Sequence, residues 1–519
     1  VPPGHTIAFD PVLARLTANP GWYPETDARG REMTVVVPPD RPDMDAGLEI
    51  KTGLGIDAGG TYTDAVIYDL EGRITCCKAK ALTTKWDFTI GIENALAKLN
   101  PDQLPDVELV ALSTTLATNA IVENEGQTVG MLLMPPPGLA EKTIAYSPKA
   151  VIQGALDISG REKIPVDPDQ IKKIADRMIR NHGVTAFAVS GYAGAVNPAH
   201  ELAVKKILQD HTRLFVSCGH ELSDTLNFET RAVTAMLNSR IIPRLKNLLS
   251  DLEQVLGRFD IQAPIVVVKG DGTLMDAAMA RKRPVETILS GPAASVAGAR
   301  HLTGRTDALV VDMGGTTTDT ARLKDNLVRL NEKGSMVGGR RTHVQALDIR
   351  TTGLGGDSLI AFEKGEFSIG PGRVAPMAWL GKNRPGTQAA LDFLKHHLNR
   401  FTTSTHKMQL ITATGSTTLS HLKPLEEQVL SLVTQRPHAI EELVVKTGVL
   451  TDAGLPLARL EQAFAIQRCG LTLTDLLHVQ GKFTLWDTDA ASVYCGIMAR
   501  LAGIPKTDMV CLLMEKGTR

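Results

Sequence analysis

The chain has 519 residues, 43% hydrophobic and 22% charged, ordinary globular usage with length for roughly two to four domains. Its 56 Lys+Arg and 57 Asp+Glu cancel, so no global field points to nucleic acid, an anionic membrane or a polyanionic substrate. No run of about 18 apolar residues offers a membrane span, and the six cysteines, with no Cys-x-x-Cys pair, lack the usual zinc and iron–sulfur spacings.

Residues 1–50 are proline-rich with few periodic segments and read as an irregular N-terminal extension. They open on Val-Pro-Pro-Gly-His, without the basic and apolar regions of a signal peptide, and without Met, as if the numbering began inside a longer gene product. With scattered, reduced thiols, this gives the expectation of a soluble cytoplasmic protein. From Gly53 the pattern is strand, glycine turn and second strand. Strands are then expected over Glu108 to Leu112, Thr128 to Met134, Val184 to Ser190 and Arg213 to Val216. Helices are expected over Leu116 to Asn124, Asp169 to Asn181, Pro198 to Gln209 capped by Asn197, and Phe228 to Leu256. Such alternation is the α/β signature. The second half reopens it, with a strand at Ile265 to Lys269, a helix of small residues from Ser290, and strand–turn–strand over Ala308 to Ala321. After about residue 385, Leu422 to Thr434, Ile440 to Thr447 and Pro456 to Cys469 read as three short helices, similar to a winged-helix module. Their mixed charge forms no basic stripe, so the insert reads as a packing or partner element and not as a DNA reader.

The main signal is an internal repeat. Asp57-Ala-Gly-Gly-Thr-Tyr-Thr-Asp64 and Asp312-Met-Gly-Gly-Thr-Thr-Thr-Asp319 share D-x-G-G-T-x-T-D, one copy in each half. One such turn is common in hairpins; two identical copies are not explained by turn chemistry. Gly59, Gly60, Gly314 and Gly315 are expected to adopt positive φ and to let the backbone approach a phosphate. Successive N–H groups then form an anion-binding concavity, with the hydroxyls of Thr61, Thr316 and Thr317 beside it. Asp57 and Asp312 would repel phosphate but suit a hydrated Mg²⁺, or can order a water or accept a proton. Asp64 and Asp319 are placed to orient the loop or a water. Gly353-Leu-Gly-Gly-Asp-Ser358 is a further glycine-rich turn.

This pairing resembles the phosphate loops of the actin/sugar-kinase/Hsp70 superfamily. The resemblance implies two ribonuclease-H-like lobes around an ATP cleft, with Gly353, Gly355, Gly356 and Asp357 in the element that carries adenosine. Five segments are similar to the hydantoinase/oxoprolinase A family in order: Ser113-Thr-Thr-Leu-Ala-Thr-Asn-Ala-Ile-Val-Glu123, Asn197-Pro-Ala-His-Glu201, Gly219-His-Glu221, Ser290-Gly-Pro-Ala-Ala294 and Asp312-Met-Gly-Gly-Thr. Leu471-Thr-Leu-Thr-Asp-Leu-Leu-His478 resembles a later family segment. Leu112-Ser113 stand where the family has His-Gly, and Arg350 stands at its second usual histidine. The implied organisation is an extension over 1–50, a first lobe over 51–245, a second over 246–400, a helical insert over 401–480 and a return to the second lobe over 481–519.

The resemblance implies an ATP- and Mg²⁺-dependent hydrolase of cyclic amides such as hydantoin or 5-oxoproline, or its ATP-binding subunit working with a B-type partner. Phosphorylating an amide oxygen converts a poor electrophile into one with a leaving group, and such transfer needs mainly positioning and charge neutralisation. Two other readings stay open: an ATP-driven activator of a partner protein, such as a corrinoid protein, and a small-molecule kinase. His220-Glu221 reads as a helix-start or surface pair beside a site-lining alternative. His200 and His343 read as structural or solvated.

Overall fold

The computed structural model describes residues 50–518 apart from 85–86, 123–125, 140–143, 326, 332–333, 398–403 and 416–420. The expected N-terminal extension therefore lies outside the described residues but for Ile50, as do Glu123 of the family-like segment and Asn124, the end of its expected helix. By its contacts the chain divides into two units. One comprises the described residues up to Val310 with Thr320–Arg350; the other comprises Val311–Asp319 with Thr351–Arg519.

In the first unit, strand β1 (Thr52–Ala58) buries Leu54, Ile56 and Ala58 alternately, the period of two that a sheet demands. β2 (Tyr62–Asp69) and β3 (Ile74–Leu82) continue it as an antiparallel meander, and β4 (Leu109–Thr114) lies parallel to β1. Helix α1 (Phe88–Leu96), capped by Asp87, covers the meander, and α2 (Leu116–Val122) follows β4 directly. The chain then builds a parallel sheet from β5 (Val129–Met134), β6 (Lys149–Val151), β7 (Ala186–Gly191) and β8 (Phe215–Cys218), in the order β8-β7-β5-β6. β5 and β7 are buried at every position, as parallel strands covered on both faces are. α3 (Pro168–His182) and α4 (Ala199–Thr212) accompany this sheet, α3 ending on left-handed Gly183.

Helix α5 (Phe228–Arg258) spans 31 residues, runs unbroken across 245 and 246, and is capped by Asn227 accepting from Thr230 N. Its Ala235, Leu245, Leu249 and Leu252 share one core with Ile56, Val110 and Leu112. β9 (Ile265–Val268) then pairs parallel with β4, and β10 (Leu274–Asp276) returns antiparallel, giving the order β10-β9-β4-β1-β2-β3. α6 (Ser290–Thr303) follows, with Leu289 in the left-handed region before it. The repeat's second strand pair is β11 (Ala308–Met313) and β12 (Thr318–Lys324), joined in one sheet by Leu327–Val328 and β13 (Ile349–Thr352).

The second unit continues with the hairpin β14 (Ser358–Glu363) and β15 (Glu366–Arg373), then α7 (Met377–Asn383) and β16 (Leu410–Ala413). The expected helices at Leu422 to Thr434 and Ile440 to Thr447 form as α8 (Pro424–Gln435) and α9 (Ile440–Thr447). The third does not hold over Pro456 to Cys469. Helix α10 stops at Leu457–Gln462, Phe464 turns at φ 55, and Ile466–Gly470 becomes strand β17. The reason is tertiary: β17 lies between β16 and Ala375–Pro376, and Ile466 and Cys469 are buried there. α11 (Leu473–Val479) and α12 (Thr488–Ala502) complete the core with Met377, Leu380 and Tyr494. Fully buried Asp475 ties α11 to α7, accepting from Thr472 N at 2.9 Å, Thr472 Oγ1 at 2.9 Å and Ala378 N at 2.8 Å. Burial pushes its carboxyl up to about 6, against those donors.

Candidate functional site

The first glycine loop joins β1 to β2, and a Gly59 N–H to Tyr62 O hydrogen bond of 3.0 Å closes the turn. Asp57, half-buried near the end of β1, sits in register with Ser113 on β4, whose hydroxyl donates to Asp57 Oδ1 at 2.5 Å. The residue that departs from the family's His-Gly thus contacts the loop carboxylate. Helix α6 begins beside the same group. Ser290 Oγ donates to Thr114 O at 2.9 Å, and a Cβ added at Gly291 would lie 3.9 Å from Asp57 Oδ1. No side chain caps α6, so its first N–H groups and positive dipole end lie next to Asp57. A carboxylate, loop hydroxyls and a helix N-terminus form a donor set that fits a hydrated Mg²⁺ and a phosphate.

The second loop, between β11 and β12, repeats the turn: Gly314 N–H donates to Thr317 O at 2.9 Å. The Gly353–Asp357 segment, singled out separately in the sequence, packs onto this loop. Gly356 N donates to Gly314 O at 3.0 Å and Asp357 N to Gly315 O at 2.7 Å. Thr318 Oγ1 donates to Leu354 O at 2.7 Å, and Thr474 Oγ1 to Gly356 O at 2.9 Å. A Cβ on Gly355 would fall 2.5 Å from Gly315 C and O and 2.6 Å from Thr316 N. Within the second unit, then, Asp312, Gly314, Gly315, Thr316, Thr317, Gly355, Gly356 and Asp357 are one cluster. Gly353 stands at its exposed edge, with open space where a Cβ would be.

One expectation about the glycines is corrected. Of the four loop glycines expected at positive φ, Gly59 and Gly314 are outside the left-handed region. The need at Gly59 and Gly355 is closeness: a Cβ on Gly59 would meet Tyr62 O at 2.8 Å.

The final carboxylates of the repeats diverge. Asp64 faces Asp57 across β1–β2 and pairs with Lys80 on β3 at 2.8 Å, partly exposed. Asp319 accepts from Thr351 Oγ1 at 2.5 Å and from Thr317 Oγ1 at 3.4 Å. Desolvation, and then the nearby Asp312 charge, hold its carboxyl above the usual carboxylate range against those bonds. Thr63, fully buried on β2, bonds Thr83 Oγ1 at 2.9 Å.

Glu201, Cys218 and His220 form the one group among the described residues close enough to share a metal ion. Its bonding is already internal. Glu201 accepts from Gly191 N at 2.7 Å, His220 N at 2.9 Å and His220 Nδ1 at 2.6 Å. Burial, then Glu221 and Glu201, push the Cys218 thiol up, far from the thiolate a metal needs. Fully buried Arg231 supplies the positive charge near Glu201. Glu221 accepts from Cys218 N at 2.9 Å and pairs with Lys205 at 2.5 Å, the helix-start role.

Among known proteins, the hydantoinase/oxoprolinase N-terminal region profile matches residues 53–212, and the hydantoinase/oxoprolinase profile matches 231–385. The chain is 28% identical over 356 residues to the caprolactamase subunit alpha of Pseudomonas jessenii, covering 61% of this chain and 50% of that one. It is 25% identical over 387 residues to 5-oxoprolinase 1 of Arabidopsis thaliana, covering 64% and 30%. The chain therefore spans half or less of the length of these relatives. In fold it is similar to nucleotide-free acetone carboxylase, with a TM-score of 0.64 at 17% identity, over 90% of this chain and 61% of that one. No helix among the described residues is long and apolar enough to cross a membrane. The ordered motifs and the two profile matches, which together span more than half its length, show that this chain belongs to the hydantoinase/oxoprolinase family.

Proposed function

We propose that this chain binds ATP with Mg²⁺ and uses it to activate the carbonyl oxygen of a small cyclic amide for hydrolysis, as an enzyme or as the ATP-binding subunit of one. The observation that carries this reading is the repeated turn. Both copies of D-x-G-G-T-x-T-D close by a bond from the first glycine's N–H to the carbonyl three residues on, and the second copy is bonded to Gly355–Asp357. In the first unit Asp57 would meet a hydrated metal ion and Gly59–Thr61 a phosphate; in the second, Asp312 and Gly314–Thr317 would do the same, with Gly353–Asp357 toward the adenosine. When bound, ATP supplies a phosphoryl group that turns the amide oxygen into a leaving group, and Mg²⁺ neutralises the charge of its phosphates. Ser113 keeps the Asp57 carboxylate in one orientation, and the start of α6 offers N–H donors to negative charge beside it.

The substrate class rests on relatives whose names are caprolactamase subunit alpha and 5-oxoprolinase 1. A partner subunit is part of the proposal, because the former is a subunit and this chain covers half of it. The strand order β10-β9-β4-β1-β2-β3, a meander continued by parallel strands, supports a ribonuclease-H-like reading of the first unit. α8, α9 and α10 beside β16 and β17 support a winged-helix-like packing insert.

The test is ATP binding and hydrolysis with Mg²⁺, comparing the unaltered chain with Asp312→Ala and Gly315→Val. Nucleotide binding by the unaltered chain that both substitutions weaken supports the loops. Absence of nucleotide binding in the unaltered chain refutes them.

A further inference from the structure

At the carboxyl end of β9, on the first unit, lies a cavity of about 530 Å³ whose lining includes Lys269, Asp271, Glu286, Asp224, Arg341 and His343. That size suits a small ligand. The register places it along the sheet: Val267 on β9 and Ile56 on β1 both pair with Leu112 on β4. Lys269 is therefore level with Ala58, two strands and about 10 Å from the first glycine loop's strand. Carboxyl ends of parallel strands are where α/β sheets take their ligands. Glu286 also lies four residues before Ser290, where α6 starts beside Asp57.

The cavity wall is built, not incidental. Gly270 N donates to Glu286 O at 2.9 Å, and Leu347 N donates to Gly270 O at 2.9 Å. A Cβ on Gly270 would fall 2.1 Å from Ile288 O, so this junction admits no side chain. Lys269, 16% exposed, stands between Asp271 Oδ2 at 3.2 Å and Glu286 Oε2 at 3.3 Å. Those carboxylates keep the ammonium protonated despite its burial. The ammonium has three N–H donors, and two serve the carboxylates.

Some of the acceptor atoms are similarly committed. Glu286 Oε1 pairs with Arg283 at 3.2 Å. Asp271 Oδ1 accepts from Thr273 N at 2.9 Å and Thr273 Oγ1 at 2.6 Å. Asp271 Oδ2 and Glu286 Oε2, each facing Lys269, retain a lone pair. His343 is held by the Ser223 and Thr225 hydroxyls at 2.7 and 2.9 Å, and burial and Arg231 hold it in the neutral form. In the lining Lys269 and Arg341 face Asp224, Asp271 and Glu286, and Arg283 on Glu286 adds a third cation, so the charges balance, which favours a neutral polar ligand over a strongly charged one.

We propose that this cavity holds the cyclic amide that the ATP-dependent reading requires, its carbonyl oxygen on the third N–H of Lys269 and its N–H on Asp271 Oδ2. A lactam ring fixes C=O and N–H on one edge, matching a donor and an acceptor side by side. An open-chain secondary amide is trans, with the two groups on opposite sides, and the cis form is costly. Ring geometry, not merely size, is what the pair selects.

The experiment is a calorimetric titration of the full chain with δ-valerolactam and with N-methylacetamide, beside a separate Mg²⁺–ATP titration. The chain is compared with Lys269→Met and with Asp271→Asn, each checked for folding by circular dichroism. Expected are lactam binding to the unaltered chain, affinity for the open amide roughly tenfold or more weaker, and a similar loss of lactam affinity in both variants with ATP affinity unchanged. If Lys269→Met fails to fold, Asp271→Asn decides. Equal affinity for the two amides, no lactam binding, or unaltered lactam affinity in a folded variant overturns the proposal. Lactam binding without ATP binding overturns the nucleotide reading while supporting this cavity; ATP binding without lactam binding overturns the cavity alone.

Discussion

Replacing Gly355 by alanine places a methyl group 2.5 Å from Gly315 C and O and 2.6 Å from Thr316 N. All three are backbone atoms, so no side chain can swing aside, and the two segments must part. Parting them breaks two hydrogen bonds, Gly356 N to Gly314 O at 3.0 Å and Asp357 N to Gly315 O at 2.7 Å. Each such bond is worth about 0.5–1.5 kcal/mol net. The loss of about 1–3 kcal/mol should appear as roughly 5- to 150-fold weaker nucleotide binding, if the loop binds only in its bonded form. Calorimetric titration with Mg²⁺–ATP reads this directly. Gly496→Ala is the control. It lies in α12 with open space where its Cβ would be, and alanine there should leave affinity alone while adding about 0.5–1 kcal/mol of helix stability. ATP affinity unchanged in a folded Gly355→Ala chain would refute the view that the glycine segment and the second loop act as one element.

Two further outcomes follow from the carboxylates. Ser113→Ala removes the hydroxyl that orients Asp57, a charge-assisted bond of about 1.5–3 kcal/mol, so hydrolysis or the Mg²⁺ requirement should worsen roughly 10- to 150-fold. A Mg²⁺ titration of phosphate release checks it, and an unchanged curve refutes it. Asp319 has its folded carboxyl raised above the unfolded value, by desolvation first and then by Asp312. The stability from this group is thus complete below the ordinary carboxylate pKa and is lost as pH rises through the raised one. Asp319→Asn should accordingly gain in Tm at pH 7 relative to the unaltered chain, with the gain shrinking below about pH 4. A gain that is the same at both pH values would mean the carboxyl is not the cause.

Much of the fold was legible because its signals are local. The strand opening near Gly53, the buried run of β5 and the helix expected at Asp169 to Asn181 each need only neighbouring residues, whereas α1 is not among the expected elements. Pro456 to Cys469 misled for the opposite reason. Its apolar residues suit a helix until β16 and Ala375–Pro376 claim Ile466–Gly470 for a sheet, which no local pattern encodes. The site divides the same way. Both glycine loops could be read because the turn itself demands those residue types. The bonds from Ser113 to Asp57, from Gly355–Asp357 to the second loop and from Lys269 to Glu286 join residues separated in sequence, the first through strand register and the others through packed turns, which no local pattern encodes.

The two copies also show what a repeated motif specifies. Identical residues give the same turn, with the same hydrogen bond at 3.0 and 2.9 Å. Identical residues do not give the same electrostatics. Asp64 pairs with Lys80 because β3 continues the meander and supplies a cation in register. Asp319 has instead the Thr351 and Thr317 hydroxyls, which donate hydrogen bonds but carry no charge, and Asp312 nearby raises the cost of a second negative charge. A bound cation would relieve that cost in the second copy and has less to relieve in the first, where Lys80 already acts. The motif sets the turn; the strand beside it sets the charge that each copy's final carboxylate meets.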